Sequence, residues 1–277
     1  MAHLSQWIGR HETRSERLSP FPSNALAATL DRDDAPYSEG TALPPIWHWL
    51  HFLPVSPLVE AGPDGHPARG GFLPPVPLPR RMWAGSRLKF RKPLVIGETV
   101  SRISTVTKVE HKSGRSGELV FVTVRHEMTG ETGLAIEEEH DIVYREAAAP
   151  GAPVPAPLAA PGDAQWTRPV VPDAVLLFRY SALTFNSHRI HYDLDYTRTV
   201  EGYPGLIVHG PLIATLLLDG LRRAHPDRVV RTFAFRALAP TFHIDPFTVS
   251  GRVEGAEARL WAAKSGALTM DATAELA

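Results

Sequence analysis

The chain has no cysteine, which removes disulfides, thiolate zinc sites and a cysteine nucleophile together. It also lacks any apolar run close to the roughly 18 residues that a membrane-crossing helix needs. Polar and charged side chains interrupt residues 1–12, leaving no apolar export segment. A cytoplasmic protein without a membrane partner is the expectation. Charge of one sign is missing too: 29 Lys plus Arg stand against 30 Asp plus Glu. No overall field draws a nucleic acid, and only a local basic pocket for a phosphate-bearing small ligand stays open.

Proline is abundant, and its distribution divides the chain. Pro150, Pro153, Pro155, Pro157 and Pro161 lie among alanines and block both helix and sheet. The expected organisation is a first domain over residues 1–146, an extended linker over 147–168 and a second domain over 169–277. The two domains read alike. The first carries strand-like alternation over Ser101–Glu110, Leu119–Met128 and Ala135–Tyr144, and the second over Thr248–Val253, Ala256–Ala262 and Ala267–Glu275. Strands of this length, joined by Gly/Ser turns, suit an antiparallel sheet with one face covered.

Each domain also has an apolar helical segment ahead of its strands. In the second it spans Pro211–Arg222, with proline at the first helical position and apolar residues nearly all round, so it should be buried. In the first it spans Pro45–Phe52, which is shorter, aromatic and less regular. That asymmetry makes the first domain the one that shapes a pocket and the second the one that carries chemistry. The expected fold class is α+β, a double hotdog with two long antiparallel sheets each wrapping a central helix.

The chemistry lies in Thr184-Phe185-Asn186-Ser187-His188-Arg189-Ile190-His191, followed by Gly205-Leu206-Ile207-Val208-His209-Gly210-Pro211. Two imidazoles and a carboxamide share a short polar stretch, and a glycine-led helix start follows. His191 suits acid–base work, because imidazole titrates near working pH and can both take and return a proton. The first N–H groups of the helix, at Gly210 and Leu212, suit a negative oxygen. His188, Arg189 and His209 are further binding candidates. His188 and His209 have ordinary roles as orienters beside their functional ones. A metal at His188, His191, Asp193 and His209 is not expected, because the spacing is no known zinc pattern.

These residues resemble the signature of the MaoC-like, hydratase-2 group, Ser-Gly-Asp-x-Asn-Pro-(Leu/Ile/Val)-His followed by Gly-x-x-x-Pro-Ile-x-His-Gly. The match lies at Thr184, Ile190, His191, His209 and Gly210. The family's aspartate is Asn186 here, its asparagine is His188 and its proline is Arg189. With Leu43–Leu50 and Arg69–Gly85, the departures are similar to an Htd2-type subgroup that includes mesaconyl-C4-CoA (3-methylfumaryl-CoA) and itaconyl-CoA hydratases.

The resemblance implies a hydro-lyase that adds water to a short branched C5 dicarboxylyl CoA thioester, giving citramalyl-CoA. His191 and Asn186 would be catalytic, with coenzyme A present only as part of the substrate. By family habit alone, a homo-oligomer, a dimer, would be the assembly. An amide cannot remove a proton, so His191 is expected to perform both proton steps, with Asp193 or Asp195 as the alternative helper. Arg80, Arg81, Arg87 and Arg91 are candidates for the phosphates of coenzyme A or a distal carboxylate. The run from Arg69 to Pro75 reads equally as a loop over the pocket or as a plain turn. Two other functions stay open: a 3-hydroxyacyl-ACP dehydratase, and a non-catalytic acyl-CoA-binding module. A thioesterase is disfavoured because Asp219 falls late in the helix.

Overall fold

The computed structural model describes residues 2–67, 69–114, 117–146 and 156–277. The first half contains β1 (His11–Arg17), α1 (Pro20–Thr29), β2 (Arg80–Phe90), β3 (Thr99–Gly114), β4 (Gly117–Gly130) and β5 (Gly133–Arg145). The second contains β6 (Trp166–Val170), α2 (Ala174–Leu183), α3 (Leu194–Thr199), α4 (Gly210–Ala224), β7 (Val230–Ala237), β8 (Phe247–Glu254), β9 (Glu257–Lys264) and β10 (Ala267–Leu276). All strand pairs are antiparallel, in the order β1-β3-β4-β5-β2-β7-β10-β9-β8-β6. Read outward from the centre, the two halves repeat one topology.

The two expected sheets are therefore one continuous sheet, joined where β2 meets β7 with Gly85 opposite Arg236 and Leu88 opposite Phe233. Gly85 belongs at that seam, because a Cβ there would lie 2.3 Å from the Phe235 carbonyl oxygen. Residues 147–155 of the Pro/Ala-rich stretch fall outside the described residues. Beyond them, Ala159 bridges Ala267 and β6 begins at Trp166.

The helix α4 is the core of the second half. Positions 212–221 are all buried, because Leu212, Ile213, Leu216, Leu217, Leu218 and Leu221 face sheet or neighbouring helix in every direction. Each such side chain contributes about 1.5–3 kcal/mol when fully buried. Its counterpart in the first half is only a 3-10 turn, Trp47–Leu50, entered through Ile46 at φ 64°. A run with prolines on both sides and aromatic or imidazole side chains inside is too short and too poor a helix former to propagate. Its side chains are used instead: His48 and Trp49 donate to the buried Glu138 carboxylate, as does Ser86 Oγ at 2.9 Å. Burial would push Glu138 up, but the His48 bond and the nearby His126 and His140 hold it down at about 2.

Three helices went unforeseen, α1, α2 and the short α3. Ser19 caps α1 and Asp173 caps α2, and the two helices pack on each other. No helix among the described residues is long and apolar enough to cross a membrane.

Candidate active site

The turn after α2 sets the site. Asn186 N–H donates to Ser181 O at 2.8 Å and Phe185 N–H to Ala182 O at 3.3 Å, the paired bonds of a helix end that passes through a left-handed residue. That residue is Phe185, at φ 48°, where a side chain costs about 1–2 kcal/mol relative to glycine. The chain then folds back through a 3-10 turn at Arg189–His191 and presents His191 inward.

His191 is buried, and its Nδ1 lies 2.8 Å from the Ile207 carbonyl oxygen. A carbonyl only accepts, so Nδ1 carries the proton and Nε2 keeps a lone pair. The ring stacks on His209, centroids 3.6 Å apart and planes 18° from parallel. His209 is the residue immediately before α4, which fixes the catalytic candidate against the start of that helix. His209 in turn meets Ser181 Oγ through Nε2 at 2.8 Å. Burial lowers His191 to about 4, against an opposing effect of the Ile207 bond, and pushes His209 far down. Both imidazoles are neutral at pH 7.

At the helix start, Gly210 and Leu212 are the first and third helical residues, whose N–H groups have no carbonyl to meet within the helix. Pro211 between them has no N–H. A Cβ at Gly210 would meet nothing nearer than the Trp83 carbonyl oxygen at 3.8 Å, so the backbone is open to a close-approaching oxygen. The Leu212 side chain itself is in the core.

His191, His209 and Gly210 line a cavity of about 1180 Å³ bounded by both halves of the chain, whereas Leu212 is not among its lining residues. Asn186, His188, His191, His209 and Gly210 all face it. Asn186 Oδ1 accepts from the His188 backbone N–H at 3.0 Å, so the carboxamide shapes the turn. Arg189 is a correction: it does not line the cavity. Its guanidinium pairs with Asp193 at 2.7 Å, lies over the Tyr196 ring and donates to Pro63 O, because the 3-10 turn points residue 189 outward. Asp193 also caps α3 and Asp195 is exposed, so neither carboxylate reaches the cavity.

Among the arginines, Arg87 pairs with Glu139 and Asp141, and Arg91 with Glu137. Arg80 and Arg81 line the cavity. Arg80 is held by Glu201 and Tyr203, whereas Arg81 forms no ion pair among the described residues. The Arg69 run is a loop on the cavity wall, tied by Arg69 to the carbonyls of Val76, Leu78 and Pro79. Trp49 and Trp83 line the wall edge to face, 4.8 Å apart, while Trp47 is core.

Sequence reasoning missed Asp64 and His66, which face His188 from the first half. The ligand atoms of Asp64, His66 and His188 lie within 4.8 Å of one another, a donor set that a divalent cation can use. The Arg81 charge works against a cation there, since it already disfavours protonation of His66 and His188.

The buried imidazoles also set the acid limit of the fold. Burial, the largest cause in each case, lowers His126 to about 3, His140 to about 4, His188 to about 2 and His191 to about 4. In the unfolded chain they titrate near 6.5, so below that pH the unfolded state takes up protons the folded state refuses. Stability should be full above about pH 6.5 and fall as the pH drops toward 4. Each imidazole that stays unprotonated removes about 1.4 kcal/mol per pH unit. Thermal melts from pH 7.5 to 4.5 check this, and a flat Tm across that range would contradict it.

A double hotdog cavity with an inward imidazole held against a helix start defines a hydratase or dehydratase of acyl thioesters. Residues 46–243 match the family described as hydroxyacyl-thioester dehydratase type 2, and the chain belongs to that family. It is 49% identical to a mesaconyl-C(4)-CoA hydratase of Chloroflexus aurantiacus over 274 residues, covering 98% of this chain and 96% of that protein. It is 29% identical to the mitochondrial hydroxyacyl-thioester dehydratase type 2 of Schizosaccharomyces pombe, over 84% of this chain and 87% of that one. Among solved structures, a MaoC-like dehydratase superposes with a TM-score of 0.74 at 15% identity, covering 99% of both chains. A MaoC-like dehydratase from Phytophthora capsici superposes at 0.69 and 13% identity, over 97% of this chain and 96% of that one. Both support the fold.

Proposed function

We propose that the chain adds water across the double bond of a short branched C5 dicarboxylyl CoA thioester of the mesaconyl-C4 type, giving citramalyl-CoA. The observation that carries this reading is the unprotonated Nε2 of His191, held by Ile207 and His209 against the first turn of α4. The thioester oxygen is placed on the Gly210 and Leu212 N–H groups, where the helix dipole favours the negative charge that develops. Water attacks the β-carbon as His191 takes one of its protons. The same imidazole then returns that proton to the α-carbon.

In such a substrate the free carboxylate is attached to the carbon that water attacks, so a carboxylate receptor must stand beside the imidazoles. Arg81 fits: it lines the cavity, has no carboxylate partner among the described residues and lies close enough for its charge to bear on His66, His140 and His188. Arg145 also lines the cavity but is not among the main charges acting on those rings.

The loss of conjugated thioester absorbance, followed with a panel of CoA and carrier-linked substrates, tests the reading. For Arg81→Ala, kcat/KM on the dicarboxylyl thioester should fall about 100-fold, the loss of one charged hydrogen-bonded contact. On crotonyl-CoA, which has no free carboxylate, the change should stay within about threefold, since that contact is never made. Equal losses on both substrates would remove Arg81 from substrate selection.

A further inference from the structure

Residues 62–66 form a tight turn closed by Gly62 N–H to His66 O at 2.7 Å and Gly65 N–H to Gly62 O at 2.9 Å. The turn is docked on the His188 segment. Ser187 Oγ donates to Gly65 O at 2.5 Å, Arg189 N–H to Asp64 O at 2.9 Å and the Arg189 guanidinium to Pro63 O at 3.1 Å. Contact is so close that a Cβ at Gly65 would fall 1.9 Å from Ser187 O, and Gly65 itself sits at φ 88°. Two of the positions flanking His188 thus serve to bring a loop of the first half onto the site.

That loop delivers an oriented imidazole. Asp64 Oδ2 lies 3.1 Å from His66 Nδ1, and the carboxylate only accepts, so Nδ1 carries the proton and Nε2 keeps its lone pair. The His66 ring lies 4.0 Å from that of His188, which stands edge-on to His191 at 5.6 Å. His66 lines the same cavity as His191. The charged and titratable groups that bear on it are Asp64, His188, His191, Arg69 and Arg81.

We propose that His66, oriented by Asp64, is a catalytic residue that accepts a hydrogen bond from the attacking water on the side opposite His191. This rests on the hydratase reading above. The atoms balance without a further reactant. The water oxygen bonds to the β-carbon, the proton removed by His191 goes to the α-carbon, and the proton pointing at His66 stays on the product hydroxyl. His66 thus aims the water, and the carboxylate missing at Asn186 acts from Asp64 through an imidazole.

The test measures kcat and KM for the wild type, His66→Leu, His66→Gln, Asp64→Asn and His191→Ala, with thermal melts of each. His66→Leu should lose roughly 100-fold in kcat, the usual cost of misplacing a reactant, with KM changed less than about threefold. His66→Gln keeps an acceptor and should return to within about tenfold of the wild type. Asp64→Asn should fall between the two with its KM also unmoved. Leu and Gln variants with equal losses would show that His66 only fills space, and a Leu variant within about twofold of the wild type would end the proposal. Wild-type activity abolished by a chelator and restored by Zn²⁺ would also overturn it, since His66 would then be a ligand. Failure of the hydratase reading is seen separately, as a wild type with no activity or a fully active His191→Ala.

Discussion

His191→Ala should hydrate the unsaturated thioester at least about 10³-fold more slowly than the wild type, within the range an acid–base group supplies. The loss should fall on kcat, because the groups proposed to hold the thioester oxygen and the carboxylate, Gly210, Leu212 and Arg81, are untouched by the change. Removing the ring also uncovers His209, which stacks on it and whose Nε2 is engaged by Ser181 Oγ. His191→Gln keeps polarity near Ile207 but cannot take up a proton, so it should be about as inactive as alanine. Stopped-flow or steady-state assays at pH 7.5 with saturating thioester decide the matter. A His191→Ala protein with unaltered kcat would leave the cavity without its base and the reading without its centre.

Asp219→Asn should destabilise the protein by about 3–5 kcal/mol, the range for breaking a buried ion pair. Asp219 lies near the C-terminal end of α4, with its side chain 1% exposed. Arg32, Arg168 and Arg223 all converge on it, the last two at 2.8 Å. Arg32 follows α1 and Arg168 is on β6, so one carboxylate gathers an early segment, the edge strand of the second half and the central helix. Arg168 and Arg223 also donate to Leu30 O. An amide would leave Arg168 and Arg223 with no carboxylate partner among the described residues, and Arg32 with Asp34 alone. Chemical denaturation of the two proteins gives the difference, and a midpoint unchanged at equal slope would show the cluster to be idle. The same geometry explains why Asp219 is no thioesterase carboxylate: it does not line the cavity.

Much of the site was legible because its residues are close in the chain. His191, Asn186, His188 and the His209-Gly210 helix start lie within one short stretch, and local turns suffice to bring them to one cavity. The six strands read from alternation are β3, β4, β5, β8, β9 and β10, long enough for a period of two to be unmistakable. By contrast β1, with its charged run His11-Glu-Thr-Arg-Ser-Glu-Arg, has no apolar alternation, since it is an edge strand paired with β3 through its backbone and the Glu12–Arg102 ion pair. The caps of α1 and α2 were present as Ser19-Pro20 and Asp173, although neither helix shows a strong apolar stripe. Arg189 was misplaced because position in a motif says nothing about which way a 3-10 turn faces. Nothing local marks Asp64 and His66, in a Pro- and Gly-rich loop far from the motif, as belonging to the site.

By itself the sequence determined the periodic strands, the buried helix α4 and the set of polar groups available for proton chemistry, because each depends on neighbours within a few residues. Only the tertiary structure decided that the two halves share one sheet, that Arg81 faces the cavity with no carboxylate partner among the described residues and that Asp64 and His66 reach across to His188. Those outcomes depend on long-range packing, where a single close contact such as Gly65 on Ser187 selects one arrangement that no local pattern encodes.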